Sequence, residues 1–438
     1  MRRAARRIVE KLRAKGHEAF FAGGWVRDSL LRRKPLDVDI ATSALPDEVA
    51  RIFPNSTPIG AQFGVVQVRT YGRPYEVATF RSEGPYLDGR HPSEVSFVGP
   101  KQDAQRRDFT VNGLFYDPVS ERVIDYVHGR ADLRRRIIRT IGKPSERFAE
   151  DKLRMLRALR FACSLRFEIA PETWQAIRDS AAEILVVSRE RIRDELLKIL
   201  TGPDPVRGLN LLHESGLLSH IVPEVESMRG VNQPPEYHPE GDVFVHTRMM
   251  LGMMRNPTPV FALGVLLHDV GKPPTFAVKE RIRFDGHVEV GAKMAEEICR
   301  RLRISNHETQ EVVDLVLNHL RFMHVKEMRE STLRRFLSKP NFADHLELHR
   351  LDCLCSHGDL ESYRFCKARL EAILREPPLP PPLITGHDLI AMGYQPGPLF
   401  KKILSAVEDL QLERTLTTRE DALRYVQEVF PQHEQTNS

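Results

Sequence analysis

Two aspartates in Leu36-Asp-Val-Asp-Ile40 carry the first chemistry of this chain. In an extended strand Asp37 and Asp39 alternate onto one face, and Leu36, Val38 and Ile40 take the other. Like charges held that close repel unless a cation lies between them, so the pair points to a divalent metal. On its own, an Asp-x-Asp is equally an exposed strand edge. Upstream, Phe20-Phe-Ala-Gly-Gly-Trp-Val-Arg-Asp28 reads as strand, tight turn and helix. There the amides at Gly23 and Gly24 can meet an anion without side-chain obstruction, although a plain strand–helix connection has the same spelling. The two elements explain each other as nucleotidyl transfer, in which metal ions activate a 3′-hydroxyl and neutralise the α-phosphate and departing pyrophosphate. Glu76, in Tyr75-Glu-Val-Ala-Thr-Phe80, is a candidate third carboxylate.

Basic residues supply the complement. Arg106-Arg-Asp-Phe-Thr-Val-Asn112 sets Arg107 beside Asp108, with donors and acceptors for ribose hydroxyls and phosphate oxygens; a surface salt-bridge cluster has the same composition. Glu150-Asp-Lys-Leu-Arg-Met-Leu-Arg-Ala-Leu-Arg160 places Asp151 and Arg154 three apart, with Arg157 and Arg160 at the same interval. On one helix these are neighbours on one face, as they are on any solvated helix. An Asp and an Arg together match the exocyclic amine and ring acceptor of cytosine or adenine, whereas uracil and guanine present a carbonyl there. Such a pair selects C and A without a template, leaving Arg157 and Arg160 for the triphosphate.

A second set of residues lies in the other half. Phe261-Ala-Leu-Gly-Val-Leu-Leu-His-Asp-Val-Gly-Lys-Pro273 ends an apolar helical run in an adjacent His268-Asp269 pair, which needs polar partners there. A lone histidine in that position is more often a satisfied core residue. Here it has company: His246 upstream, His287, His319 and Asp352 downstream. Imidazoles and carboxylates spread over several helices can converge on a metal inside a bundle.

The elements that must position these groups fall into two styles. Short β-rich runs at 19–22, 38–41, 64–69, 75–80 and 95–98 predict an α/β head. From Ser145 the pattern becomes amphipathic helices, including 147–166, 171–182 and 189–200. A Pro- and Gly-containing stretch at 223–241 reads as a linker, and Glu376-Pro-Pro-Leu-Pro-Pro-Pro382 delimits a small tail of helices separated by Gly and Pro turns. A length of 438 residues predicts two to four domains. The net charge of +5 is clustered, which favours a polyanionic partner. Five cysteines without paired or zinc-like spacing read as reduced cytosolic thiols, and no apolar run is long enough to span a bilayer.

Taken in order, Gly23-Gly-Trp-Val-Arg-Asp28, Asp37-Val-Asp39, Arg106-Arg-Asp-Phe-Thr-Val-Asn112, Glu150-Asp-x-x-Arg154 and Glu190-Arg-x-x-x-Glu195 resemble the motif series of class II tRNA nucleotidyltransferases and bacterial poly(A) polymerases. The resemblance implies an α+β architecture: a DNA polymerase β-like nucleotidyltransferase head (1–144), an all-helical neck (145–225), an HD domain (226–376) and a helical tail (377–438). It implies catalytic metal binding by Asp37 and Asp39 with Mg²⁺, nucleotide contacts from Gly24, Arg27, Arg107, Asp108, Arg157 and Arg160, and base selection by Asp151 and Arg154. The implied partners are tRNA, CTP and ATP, with no membrane, in the cytoplasm. The implied reaction is stepwise addition of C, C and A to the tRNA 3′ end. The alternatives are a poly(A) polymerase using ATP, or a specialised CC-adding or A-adding enzyme. Residues 81–92 look like the family's flexible loop, which argues against CC-only addition. Ile59-Gly-Ala-Gln-Phe63 stands where poly(A) polymerases usually carry a basic segment, which favours CCA addition.

The order of His246, His268, Asp269, His287, His319 and Asp352 resembles the HD phosphohydrolases. That implies ligation of a divalent metal of unassigned identity by His246, His268, Asp269 and Asp352, with His287 and His319 as further ligands or phosphate contacts. It also implies phosphoester hydrolysis by metal-activated water, with 2′,3′-cyclic phosphate ends as substrate. A structural metal site or a degenerate domain explains the same residues.

Overall fold

The structure is a computed structural model that describes residues 1–60, 64–83, 95–377 and 381–431. In the head lie β1 (Ala19–Ala22), β2 (Asp39–Thr42), β3 (Ser56–Gly60), β4 (Val65–Thr70), β5 (Arg73–Thr79), β6 (Arg81–Glu83), β7 (Val95–Phe97), β8 (Leu114–Asp117) and β9 (Arg122–Asp125). Seven of them form one mixed sheet in the order β3-β4-β5-β2-β1-β8-β9, and β6 pairs with β7 separately. Ala19-Phe-Phe-Ala22 is buried at all four positions, as an unbroken apolar run requires of a central strand. Phe20 packs on Phe80 and Phe115, both with ring centroids 6.0 Å away, in a core completed by Ala22, Ala41 and Ala104.

Register positions the chemistry. β1 and β2 are antiparallel with Ala22 opposite Asp39, so the Gly23-Gly24 turn leaving β1 meets the aspartates entering β2. β5 runs parallel to β2 with Val77 opposite Ile40, which brings Glu76 alongside Asp39. The turn needs a residue without Cβ: Gly23 has φ +61°, and a Cβ there would lie 3.1 Å from an Arg107 guanidinium nitrogen.

Two expectations change. β2 starts at Asp39, so Asp37 precedes the strand rather than alternating within it. The reason is that β1 ends opposite Asp39 and turns away, leaving residues 37 and 38 without a neighbour on that side. The expected helix 147–166 is two helices, Pro144–Glu150 and Leu153–Leu165, with Asp151 extended between them at φ −141° and ψ 104°. The Asp151 carboxylate accepts from the Leu153 amide at 3.1 Å, the local capping competition that makes Asp a poor interior residue. Asp151 and Arg154 therefore do not share one helix face; Arg154, Arg157 and Arg160 do share a helix. Strands β3, β6, β8 and β9 lie outside the runs that the sequence predicts as strands.

Contacts divide the chain into two compact units. One comprises Met1–Gly230, Met254–Leu266 and Glu297–Thr309; the other comprises Val231–Met253, Leu267–Glu296 and Gln310–Ser438. In the first, helices including Leu153–Leu165, Pro171–Ser180 and Arg189–Leu200 follow the head. In the second, Val243–Met253 and Phe342–Cys355 are central, and a tail of Gly386–Ala391, Pro398–Leu412 and Arg419–Val429 closes over its own core of Ile384, Leu389, Ile403, Val407 and Val426. All five cysteines are buried and free of disulfides. Among the described residues no helix is long and apolar enough to cross a membrane.

Gly271 fixes the second unit locally. A Cβ there would lie 2.1 Å from the His287 carbonyl oxygen and 2.6 Å from the Gly291 nitrogen. Only a bare Cα lets the Asp269 turn touch the first turn of the helix that begins at His287. Gly271→Ala is expected to destabilise this unit by roughly 1–3 kcal/mol through overpacking, read as a lower urea midpoint for its unfolding transition.

Candidate active site and metal centre

A cavity of about 650 Å³ opens where the Gly23-Gly24 turn meets the start of β2. Gly24, Arg27, Asp37, Asp39, Arg107 and Asp108 line it from the head, and Asp151, Arg154, Arg157 and Arg160 line it from the helical segment. Every head-site residue singled out in the sequence, Glu76 apart, reaches this one space. Glu76 is exposed beside it.

Charge is segregated inside the cavity. Burial, then the neighbouring Asp37 and Glu76 carboxylates, push the Asp39 carboxyl up to about 6, with Arg107 opposing. Three carboxylates crowd there with little to neutralise them, a donor set that fits a hard divalent cation. Elsewhere in the cavity the guanidinium groups are braced. Arg27 is held by Asp28 at 2.8 Å and by the Asn112 side-chain oxygen at 2.8 Å. Asn112 in turn donates to Asp108 at 3.1 Å, and Asp108 accepts from Arg157 at 2.9 and 2.5 Å. Burial works to raise the Asp108 carboxyl, but the Arg157 charge and these hydrogen bonds bring it down to about 2. Arg160 donates to Glu195 at 2.5 Å. Asp151 is bridged by Arg191 at 2.8 Å, and Arg154 donates to Glu150 at 2.6 Å and to the Arg147 carbonyl at 2.9 Å. These anchors hold each side chain in one orientation before any ligand arrives.

Sequence reasoning missed two supports. Phe161 lies under Arg27, Arg157 and Arg160 at 5.3, 5.4 and 4.1 Å, a cation–π floor that reads in the sequence as one more apolar helix position. Asp103, 1% exposed, grips Arg106 at 2.7 Å and Arg107 at 3.0 Å. Its spacing three and four residues before them was the available signal. Two other expectations lie largely outside the described residues: 84–92 of the loop 81–92, and 61–63 of the segment 59–63.

In the second unit the six expected residues form two groups. The ligand atoms of His246, His268 and Asp352, and those of Asp269, His287 and His319, lie within 4.8 Å of one another in each group. Asp269 Oδ1 is 3.7 Å from the Nε2 atoms of both His287 and His319. His287 and His319 donate Nδ1–H to the carbonyls of Phe284 and Val316, each at 2.7 Å, so both present a bare Nε2 to Asp269. Burial drives His319 down to about 4, which keeps its imidazole neutral and free to coordinate. Asp269 Oδ1 and His287 Nε2 are buried without hydrogen-bond partners. Donors of this kind, aimed at one another yet too far apart to bond, fit a metal ion. A cavity of about 940 Å³ adjoins them, with Lys272, Arg281 and Arg283 in its wall. Lys272 clamps the other Asp269 oxygen at 2.7 Å. His246 and His268 lie behind this wall, 0% and 1% exposed.

Three family models match successive parts of the chain. The family model described as "Poly A polymerase head domain" matches residues 19–139, "Probable RNA and SrmB- binding site of polymerase A" matches 166–229, and "HD domain" matches 245–347. A CCA-adding enzyme of Bacillus cereus is 32% identical over 419 residues, covering 95% of this chain and 96% of its own. The chain belongs to the CCA-adding enzyme family. A second member, from Geobacillus stearothermophilus, is 46% identical over 215 residues, which is 49% of this chain and 53% of that relative. The crystal structure of the Bacillus stearothermophilus CCA-adding enzyme in complex with CTP superposes with a TM-score of 0.75 at 29% identity, covering 98% of this chain and 97% of that one. The matched ranges span Asp37, Asp39 and Asp108 in the head and His246 to His319 in the HD unit, and Asp352 lies beyond the HD match.

The Asp108–Arg157 pair gives a pH signature. The folded pKa of about 2 lies below the ordinary carboxylate value, so the stabilisation is complete above pH ~4 and is lost as pH falls towards 2. Asp108→Asn is expected to lower stability by roughly 2 kcal/mol at pH 6, with the gap to wild type narrowing below pH ~4 in urea titrations. A pH-independent gap would assign the effect to packing.

Proposed function

We propose that this chain adds C, C and then A to the 3′ end of tRNA, taking CTP and ATP without a nucleic-acid template. One observation carries the reading: the carboxylates at 37 and 39, four guanidinium groups and the Asp151–Arg154 pair all line a single cavity. Full-length family membership supports it over poly(A) addition, since the relatives that span this chain are CCA-adding enzymes. We retain the division into head, neck, HD domain and tail, and a cytoplasmic location in keeping with buried, disulfide-free cysteines.

Placement in the cavity supports a role for each residue. Arg27, Arg107, Arg157 and Arg160 take the triphosphate, oriented by Asp28, Asn112, Asp108, Asp103 and Glu195. Asp151 accepts from the exocyclic amine of cytosine or adenine, and Arg154 donates to the adjacent ring nitrogen. Uracil and guanine offer a carbonyl to the carboxylate and a ring N–H to the guanidinium, so both contacts fail. Gly24 lets the nucleotide approach the backbone closely. Asp37 and Asp39, with Glu76 beside them, would hold Mg²⁺; bound there, the ion supplies Lewis acidity for the 3′-hydroxyl and the α-phosphate. The 3′-oxygen bonds to the α-phosphorus as the bond to pyrophosphate breaks.

The test offers the protein tRNAs ending at the discriminator base, at C and at CC, with CTP, ATP or both. Three added nucleotides only with both triphosphates is the expected product; a ladder from ATP alone would overturn the reading. Asp39→Asn is expected to slow addition on the order of 10³-fold, the several kcal/mol that metal assistance supplies. Arg154→Ala is expected to narrow the preference for CTP and ATP over UTP and GTP.

For the HD unit we propose metal-dependent hydrolysis of phosphoesters such as 2′,3′-cyclic phosphate ends. The supporting observation is the array of imidazole and carboxylate donors beside a cavity walled by Lys272, Arg281 and Arg283, which suit a phosphate. His246, His268, Asp269 and Asp352 would hold the ion, with His287 and His319. Chelation is expected to abolish hydrolysis and Mn²⁺ or Co²⁺ to restore it in wild type but not in the double variant His268→Ala, Asp269→Ala. Equal rates in the two proteins would move the activity elsewhere.

A further inference from the structure

The stretch 223–241 reads in the sequence as a linker, yet its end carries the Glu240 carboxylate to the HD histidines. Glu240 has a side chain only 4% exposed, and its Oε1 accepts from His246 Nδ1 at 2.6 Å and from His238 Nδ1 at 2.9 Å. The two rings stand at 88° with centroids 5.1 Å apart, so one oxygen fixes two imidazoles in perpendicular planes. His246 is fully buried, and its Nε2 lies 3.2 Å from Asp352 Oδ1, inside the donor group that includes His268. His238 lines the 940 Å³ cavity.

We propose that Glu240 is the positioning residue of the HD metal centre, locking His246 with Nε2 towards the ion and His238 at the cavity wall; this rests on the HD unit binding a metal.

His287 and His319 have their Nδ1 atoms fixed by main-chain carbonyls, whereas His246 uses a carboxylate. A carboxylate on Nδ1 makes an imidazole a stronger ligand than a carbonyl does and selects the tautomer with a lone pair on Nε2. Glu240 sits on the segment entering the helix Val243–Met253, six residues before His246, so it reaches the ring from the side away from Asp352. The buried Oε2 has no hydrogen-bond partner.

The test uses the full chain carrying Asp37→Ala and Asp39→Ala, so that metal bound in the head does not contribute. Metal-stripped protein is titrated calorimetrically with Co²⁺ alone, and the visible spectrum of the loaded protein is recorded. Glu240→Ala is expected to weaken Co²⁺ binding about 10–100-fold, the range for loss of such a support. Glu240→Gln, which keeps an acceptor and loses the charge, is expected to fall between. Both should shift the Co²⁺ absorption bands, a change in ligand geometry that loss of fold stability alone does not produce. Glu240→Gln carries the test if Glu240→Ala does not fold. Affinities within twofold of the parent and unchanged bands in the folded variants would overturn the proposal. Parent protein that binds no more Co²⁺ than its His268→Ala, Asp269→Ala derivative would overturn the HD metal reading itself, and with it this one.

Discussion

Asp39 is drawn half out of water beside two other carboxylates, and the head is arranged around that unfavourable crowding. Three features of the sheet produce it. β2 begins at Asp39, β1 ends opposite it in a glycine turn, and β5 runs parallel with Glu76 alongside. None of these can shift without re-pairing two buried strands, because a one-residue slip turns every side chain to the opposite face and breaks the packing of Phe20 on Phe80 and Phe115. The hydrophobic pattern of the sheet therefore holds like charges together, and the cavity they share is completed by cations from the helical segment.

Those cations are held by the same logic with opposite sign. Arg27, Arg107, Arg157 and Arg160 would repel one another in a shared cavity, yet each has an anionic partner: Asp28, Asp103, Asp108 and Glu195. Phe161 gives three of them a common apolar floor. Guanidinium groups fixed this way have little rotamer freedom left to lose when a phosphate arrives, which is the physical content of preorganisation. In the HD unit hydrogen bonds at Nδ1 play the corresponding part, turning Nε2 of His246 towards Asp352 and Nε2 of His287 and His319 towards Asp269.

Much of this was legible. The central strand, the Gly-Gly turn, the Asp-x-Asp and the Glu150–Arg160 series each have a local physical signature, and their chain order resembles one family's. What escaped was whatever depends on a neighbour remote in sequence. Phe161 reads as core because nothing local distinguishes an apolar residue that faces a leucine from one that faces guanidinium groups. Glu240 and His238 were passed over as linker because their partner is a ring on the next helix. The break at Asp151 was hidden by good helix formers on both sides, although an aspartate's readiness to cap the following turn was the available hint.

Residue types and spacing by themselves determined which chemistry is present: carboxylates for a cation, guanidinium groups for phosphates, imidazoles for a metal, in an order characteristic of one family. Tertiary structure alone decided how these groups face one another. Asp37 lies outside the strand because β1 turns away at Gly23; Asp151 leaves the helix face because its own side chain caps the next helix; Glu240 meets His246 and His238 because a loop folds it against them. Chemical identity is carried by each side chain, so sequence reports it directly. Orientation is set by register, close packing and the hydrogen bonds that distant residues supply, and these exist only once the chain is folded.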